Sequence, residues 1–271
     1  MPTTPEAVLV WVTALAGVDA LLRSLPLLAT PALLSDAGLR SWPFARDRWG
    51  LDRRSRFASR AVDAVMSYPA VMVVVAVRAA GGLLLVAAPF GGTFTLVGTV
   101  AVWGGHIALL EVRTRQGLGA DVMTRMVSAA LLIEQLAGGS ALAAEACVWF
   151  LAGLSCLSYV GNGWAKLRVP AWRSGEALSE ILATPMFRVP SLARVVEARP
   201  AVGRLLSWSV LGAELLFPLG VALGEPAVWL VLAWGVAFHA TNAVSFGLGP
   251  FFWAFISPYP AVWYAAQALH S

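Results

Sequence analysis

The sequence predicts an all-α integral membrane protein with about eight transmembrane helices and a polar cavity in one half of the membrane. Composition is the first indication, because 59% of the 271 residues are hydrophobic and only 13% are charged. Soluble domains carry about 25% charged residues. The second indication is a series of eight apolar runs, each close to the roughly 20 residues that cross a bilayer. We therefore expect a single transmembrane domain over 1–271.

Short turns without basic residues and longer basic connections separate the apolar runs. Turns rich in glycine and proline at 89–92, 138–139 and 224–226 contain no basic residue, and such residues are typical of tight connections. The segment 247–250, which separates the last two runs, fits either a turn or a broken helix. The eight runs lie at 8–29, 66–88, 92–112, 120–138, 142–165, 205–223, 227–247 and 250–269.

The remaining connections hold sixteen basic residues, within 36–60, 111–121 and 166–204. Because basic residues concentrate in cytoplasmic loops, these connections are predicted to face the cytoplasm, with both termini outside. The net charge of +4 belongs to these loops, so no nucleic-acid partner is expected. A short interfacial helix with apolar side chains between arginines is expected within 185–204.

Polar side chains inside the apolar runs concentrate in the membrane half nearer the basic connections. Such groups are costly in lipid and usually face a protein interior or a water-filled cavity. Their uneven depth predicts a polar cavity that opens toward the basic face, although a network of buried ion pairs would use the same residues. The residues in that half are Arg23, His106, Glu111, Asp121, Arg125, Asn162, Lys166, His239 and Asn242.

Two spacings favour a shared ligand site. Asn162 and Lys166 are four residues apart, so they lie on one face of a helix. His239, Asn242 and Phe246 follow an i, i+3, i+7 pattern on a second helix. A hydrogen-bonded packing histidine is the alternative interpretation of His239. No cluster with metal-ligand spacing and no nucleotide-binding glycine loop stands out, so no bound metal is expected.

Lys166 is the only lysine, and the other eighteen basic residues are arginine. Arginine keeps its proton in proteins, whereas a lysine shielded from water can lose its proton and act as a base. A single lysine at the end of an apolar run is therefore a candidate base in a ligand site. Composition and position alone favour the other interpretation, an interfacial lysine whose stem lies in the membrane while its ammonium group reaches water.

Four blocks of the sequence resemble the bacterial HTTM-domain proteins, relatives of the vitamin K-dependent γ-carboxylase. They occupy 17–23 with 35–39, 113–121, 159–178 and 238–253. The third block contains a Gly-x-x-Lys-Leu core ending in Lys166-Leu167, and the fourth joins Phe238-His239 to a Phe-Gly-Leu-Gly-Pro segment. Glu214, within Ala-Glu-Leu-Leu-Phe-Pro, also fits. The resemblance implies a multi-pass protein of the bacterial inner membrane.

The matching lysine of the carboxylase is the base that starts the oxidation of vitamin K hydroquinone. The resemblance therefore implies that Lys166 takes a proton from a reduced naphthoquinone-type hydroquinone, which then reacts with O2 and collapses to an epoxide. This predicts a membrane oxidoreductase or epoxidase without a covalently bound cofactor. His239 joins Lys166 in the predicted catalytic pair. The predicted substrate-binding residues are Asn162, Asn242, Asp121, Trp164, Phe246, Glu214 and Arg125.

Two departures from the carboxylase argue against protein carboxylation by this chain. The sequence stops at Ser271, where the carboxylase continues into a peptide-binding domain, and it reads Arg-Thr-Arg-Gln from Arg113 where the carboxylase has an Asn-His pair. The lumenal site of the carboxylase also conflicts with the cytoplasmic face that the arginines predict. The alternative function is a non-catalytic accessory protein of toxin or peptide maturation or export. Such a protein would bind lipid or peptide in the same cavity, together with an unidentified protein partner.

Overall fold

The computed structural model describes residues 3–48, 56–114, 119–184 and 189–271. Within these ranges the regular structure is helical, and no strand is present. The all-helical prediction is therefore confirmed. The chain, predicted to form one transmembrane domain, divides into two compact helical units. The first unit is Leu9–Cys147, and the second is Val148–Ser271 together with Met1–Val8.

The first unit contains most of the first helix and the five helices that follow it. A π-helix over Ile107–Thr114 directly follows the helix Thr95–His106 without a break. These helices are α1 (Pro5–Ala29), α2 (Trp42–Arg48), α3 (Arg56–Met66), α4 (Val71–Val86), α5 (Thr95–His106) and α6 (Gly119–Leu136).

Glycines bring three of these helices into close contact. A Cβ atom built on Gly17 of α1 would lie 2.7 Å from the carbonyl oxygen of Gly82 in α4. A Cβ on Gly81 would lie 2.8 Å from the carbonyl oxygen of Gly98 in α5. Small residues let helix backbones approach closely, which is how apolar helices gain packing contacts in a membrane. Two adjacent glycines of α4 therefore lie on different faces of the helix: Gly82 faces α1 and Gly81 faces α5.

The second unit contains three long helices and several short ones. The predicted helix within 185–204 is present as α10 (Pro190–Ala198), and its Ala193 and Val196 are buried in a cluster with Leu182 of α9 (Glu176–Ala183). These side chains pack against protein, so the apolar face expected to meet lipid is partly covered. The helices are α7 (Ala141–Leu167), α8 (Pro170–Ser174), α9 (Glu176–Ala183), α10 (Pro190–Ala198), α11 (Pro200–Ala222), α12 (Ala227–Phe246), α13 (Gly249–Ile256) and α14 (Tyr259–Ala268).

Five of the described helices are long and apolar enough to cross a membrane. They are Pro5–Ala29, Thr95–Arg113, Ala141–Leu167, Pro200–Ala222 and Ala227–Phe246. A sixth span is obtained if Ser59–Met66 and Val71–Val86, which meet at a 68° bend, count as one. The described residues thus support a membrane protein with five or six candidate spans, and they do not reproduce the predicted count of eight.

Two of the predicted spans are not among these candidate spans, and each has a physical reason. The run predicted at 120–138 forms α6, which carries Asp121, Arg125 and Glu134, and each charge raises the cost of placing the helix in lipid. The run predicted at 250–269 divides into α13 and α14. Pro258 and Pro260 lie at this division, and proline supplies no N–H group to continue a helix.

The segment 247–250 is a turn. Gly247 has a φ angle of 67°, in the left-handed region, and its N–H group donates to the carbonyl of Asn242. A glycine in this conformation is a common helix terminator, because it has no Cβ to clash with the preceding turn. The chain therefore leaves α12 directly after Phe246 and enters α13 at Gly249, which holds α12 and α13 next to each other.

Candidate functional site

Lys166, in the last turn of α7, forms an ion pair with Glu214 of α11. Its Nζ atom lies 2.5 Å from Oε1 and 2.6 Å from Oε2 of the carboxylate. The Glu214 side chain is 4% exposed and that of Lys166 is 23% exposed. A carboxylate this buried requires a counter-ion, which Lys166 supplies. The Lys166 ammonium also lies 5.5 Å from the centre of the Trp172 ring, within the range of a cation–π contact.

The close approach of α7 and α11 depends on Gly163, one turn before Lys166. A Cβ atom at this position would lie 3.0 Å from Cβ of Glu214 and 3.0 Å from Cγ of Leu215. The absence of a side chain lets the two helices touch at the level of the ion pair. Gly163 therefore sets the position of Glu214 relative to Lys166.

A cavity of about 310 Å³ adjoins the ion pair, and we call it the first cavity. Its walls combine side chains from α7, α11 and α12 with aromatic rings from α13. Six of the nine predicted site residues line it, so these six lie together in the fold. The lining residues that matter here are Lys166, Glu214, Asn162, His239, Asn242 and Phe246.

A second cavity of about 370 Å³ has walls in common with the first. Its lining is mainly apolar and includes Trp172, Leu192 and Trp234. Ser207, also in its wall, is 1% exposed, and its Oγ atom has no hydrogen-bond partner in the described part of the chain. The shared walls make the two cavities adjacent. The residues common to both are Lys166, Ile181, Phe238, Asn242 and Phe246.

A row of three hydrogen-bonded side chains lies behind the first cavity. The Tyr259 and Tyr159 hydroxyl oxygens are 2.6 Å apart, and the Tyr159 oxygen is 2.8 Å from Nε2 of His239. All three side chains are buried. The His239 ring stacks on Phe255, with centroids 4.6 Å apart and an interplanar angle of 15°, and Phe238 meets its edge. Hydrogen bonds and stacking therefore hold His239 in one orientation at the cavity wall.

Gly235 of α12 makes room for the tyrosine pair. A Cβ atom there would lie 1.9 Å from the Tyr259 hydroxyl oxygen and 3.2 Å from that of Tyr159. We expect Gly235→Ala to push the Tyr259 ring away, break the contact between the hydroxyls and lower the free energy of unfolding by about 1–3 kcal/mol. Thermal unfolding in detergent measures this. Gly212→Ala is the matched control, since among the described residues no atom beyond its own helix turn lies within 4 Å of its added Cβ. Equal stability of the two variants would contradict the close packing at Gly235.

Asp121 and Arg125 belong to the first unit and have partners there. Nη1 of Arg23 lies 2.7 Å from Oδ1 of Asp121, and Nε of Arg23 lies 2.9 Å from Asp19. Arg125 pairs with Glu111, with Nη1 and Oε2 3.2 Å apart. Asp121 thus takes part in a buried ion pair, the structural alternative raised by the sequence, and Arg125 takes part in a partly exposed one. Neither residue lines the cavities described above.

Trp164 and Asn162, two further predicted site residues, differ from the prediction in position or in the groups they offer. Trp164 is 56% exposed and lines neither cavity, because one residue of helical rotation turns it away from the face that carries Gly163. Trp172 of α8 supplies the aromatic wall near Lys166 instead. Asn162 does line the first cavity, and its Nδ2 atom donates to the carbonyl of Ser158 in its own helix. This contact uses one of the two N–H groups of the amide, so the second N–H and the amide oxygen remain for a ligand.

Tyr159 and Tyr259 are the site residues that the sequence did not single out. A signal for Tyr159 exists, because it precedes Lys166 by seven residues and so lies on the same helix face. Tyr259 carries no comparable signal, since 100 residues separate it from Tyr159 and the two meet only through packing of α14.

The chain was compared with protein-family models, curated proteins and solved structures, and none of them matches it. The HTTM resemblance therefore stays a prediction that rests on the sequence blocks alone.

Proposed function

We propose that this protein is a membrane oxidoreductase that acts on a lipid-soluble hydroquinone with O2. The observation that carries the proposal is the Lys166–Glu214 ion pair in the wall of a cavity that also presents His239 and Asn242. The pair provides a proton donor and a proton acceptor in contact, beside a space with mainly apolar walls. A phenolic ring with an apolar substituent suits such a lining.

The ion pair can accept the proton of the hydroquinone hydroxyl. Lys166 passes one of its protons to Glu214 and takes the proton of the hydroquinone hydroxyl in return. The pair then consists of a neutral carboxyl group and an ammonium group, and the ammonium stabilises the phenolate. Because the proton moves through Lys166, the base predicted from the sequence keeps its role, with Glu214 as the final acceptor.

The oxidation itself balances with O2 as the only co-reactant. The phenolate adds to O2, and the resulting peroxide collapses so that one oxygen atom enters an epoxide and the other leaves as water. Two hydrogen atoms of the hydroquinone appear in that water, and the organic product is the quinone epoxide. The protein supplies proton transfer, orientation and exclusion of bulk water, while the electrons come from the hydroquinone ring.

The second cavity gives the substrate's apolar part a place to lie. Lys166 and Asn242 line both cavities, so a ring held at the ion pair can extend an alkyl substituent past Phe246 into the second cavity. This arrangement favours a hydroquinone with an apolar tail over a small water-soluble phenol.

Turnover by variants of the ion pair tests the proposal. Purified protein in detergent, given a reduced 2-methylnaphthoquinone and O2, should yield the quinone epoxide, detected by mass spectrometry, in excess of the products formed without protein. Lys166→Arg keeps the positive charge but cannot release a proton, so we expect a loss of about 100-fold or more. Glu214→Gln should lose a similar factor, because the amide cannot accept the proton.

Exposed neighbours provide the controls for this experiment. Arg168→Ala removes a basic residue two positions from Lys166, and Glu180→Gln changes a carboxylate on α9; both side chains are exposed and should leave the rate unchanged. Full activity in Lys166→Arg would rule out proton transfer through Lys166. Absence of epoxide from the unmodified protein, beyond the amount formed without protein, would rule out this substrate class.

A second function, binding of a lipid without turnover, is favoured by the mainly apolar lining of the second cavity. A protein of this kind would serve as an accessory in peptide maturation or export. If the protein has this function, a lipid should copurify with it and should be lost when a larger side chain fills the second cavity, for example in Val210→Trp. Mass spectrometry of the purified protein together with the turnover assay separates the two functions.

A further inference from the structure

The side of α3 that faces away from the rest of the first unit is apolar. Phe57, Ala61 and Val65 follow one another at four-residue spacing along this side, and Tyr68 continues it just beyond the helix. All four side chains are exposed, Phe57 by 84% and Val65 by 47%. We call these four residues the α3 stripe. An exposed apolar surface of this kind indicates a contact with a partner or with a membrane.

The inward side of α3 carries the polar groups of the helix. Ser59 is 7% exposed, and Asp63 accepts hydrogen bonds from Nε1 of Trp42 at 2.8 Å and from Nε of Arg46 at 2.9 Å. Met66 is buried in a cluster with Trp42. A helix on the surface of a water-soluble protein turns its apolar side inward and its polar side outward. A serine and a carboxylate on the inner side of α3 reverse that arrangement, so the stripe fits an apolar medium better than water.

The end of α3 is held in place by Arg113, which is 1% exposed. The guanidinium group of Arg113 donates hydrogen bonds to the backbone carbonyl groups of Leu34, Arg40 and Met66. One buried side chain thus joins the end of α3 to the segment that precedes α2. Together with the contacts of Asp63, these hydrogen bonds keep the same side of α3 turned outward.

The direction of α3 follows from the bend that separates it from α4. The two helices meet at an angle of 68°. When α4 crosses the bilayer, this bend places α3 closer to the membrane plane than to the membrane normal. The outer side of α4 is also apolar, with Val73 64% exposed and Val77 48% exposed. The α3 stripe therefore adjoins, along the chain, a surface of α4 that suits acyl chains.

The sequence at the start of α3 is strongly basic. Residues 53–60 hold four arginines and no acidic residue. Arg60 is exposed and directly precedes Ala61 of the stripe, whereas the nearby Asp63 is paired with Arg46. An apolar helix face flanked by arginines is typical of helices that lie in the headgroup region of a membrane and attract anionic lipids.

We infer that α3 is an interfacial anchor, with the α3 stripe buried among acyl chains just below the headgroups and Arg60 bound to the headgroup of an anionic phospholipid. Lipid is favoured over a protein partner or a second copy of the chain for two reasons. The stripe adjoins the exposed apolar side of α4, and the charge beside it is positive. The anchor belongs to the first unit and does not depend on the proposed oxidation.

Quenching of a fluorescent label by brominated lipid tests the position of the stripe. Phe57→Cys and Val65→Cys, each combined with Cys147→Ala and Cys156→Ala, are labelled with bimane and reconstituted in phosphatidylcholine with brominated acyl chains. We expect strong quenching at both positions. Ser271→Cys carries the label at the exposed end of the chain and is the control, which should be quenched little. Labels at Phe57 and Val65 that are quenched no more than this control would overturn the inference, because water or protein would then cover the stripe.

A matched pair of lipids tests the part played by charge. Brominated phosphatidylglycerol, as a minor component of unbrominated phosphatidylcholine, should quench the label at Phe57 more than the same fraction of brominated phosphatidylcholine. Arg60→Gln should lower this local enrichment about fivefold, the factor expected for one arginine at an anionic surface. Arg204→Gln removes an exposed arginine of the second unit and should leave the enrichment unchanged. Equal quenching by the two lipids, or an enrichment that persists in Arg60→Gln, would overturn the binding of an anionic headgroup by Arg60.

Discussion

Replacement of Lys166 by methionine is expected to lower the free energy of unfolding by about 3 kcal/mol or more and to abolish turnover. The substitution keeps the length and much of the apolar stem of the side chain but removes the ammonium. Glu214, whose side chain is 4% exposed, is then left without its counter-ion, and breaking a buried ion pair in this way typically costs about 3–5 kcal/mol. Denaturant titration in mixed micelles, followed by tryptophan fluorescence, measures the effect.

A double variant separates the loss of the pair from the burial of an unpaired charge. Lys166→Met with Glu214→Leu removes both charges and should recover most of the lost stability, because apolar replacements of a buried pair are often neutral. It should remain inactive. Arg168→Met, on the exposed side of the same helix end, should cost nothing measurable. A single Lys166→Met variant as stable as the unmodified protein would show that Glu214 does not depend on the pair.

Replacement of Arg23 by methionine is expected to destabilise the first unit by about 3–5 kcal/mol. Arg23 is within hydrogen-bonding distance of Asp19, Asp121 and Thr124, at 2.9, 2.7 and 3.1 Å. Asp19 is 2% exposed and Asp121 is 5% exposed, so the variant would leave two buried carboxylates without this arginine. The effect is measured as the temperature at which the purified protein aggregates, and as the yield of folded protein in the membrane fraction.

Removal of the carboxylates tests the cause of this loss. Arg23→Met combined with Asp19→Asn and Asp121→Asn should recover a large part of the stability, since no unpaired charge remains. Arg60→Met removes an exposed arginine from the same unit and is the control. If the triple variant were no more stable than Arg23→Met alone, the loss would come from packing of the arginine stem instead of from charge.

The sequence identified much of the candidate site because helical spacing alone places side chains on a common face. Lys166 with Asn162, and His239 with Asn242 and Phe246, are each set by the 3.6-residue period, and the structure brings both sets to one cavity. Depth in the membrane was a weaker guide. Asp121 and Arg125 were grouped with Lys166 because they share an estimated depth, yet each pairs within the first unit. Two side chains at the same depth can still lie far apart in the plane of the membrane, so a common depth does not show that they share a site.

Composition and periodicity determine by themselves that this chain is helical, that several of its helices are long and apolar enough to cross a membrane, and that one unusual lysine ends a helix. These properties follow from local chemistry, since each depends on residues a few positions apart. Only the tertiary structure decides that Glu214 is the partner of Lys166, that Trp172 and not Trp164 lies beside it, and that Tyr259 completes the row behind His239. Those contacts join residues up to 100 positions apart. They form because helices pack closely at glycines such as Gly163 and Gly235, and the spacing of residues within one helix does not predict which helices pack together.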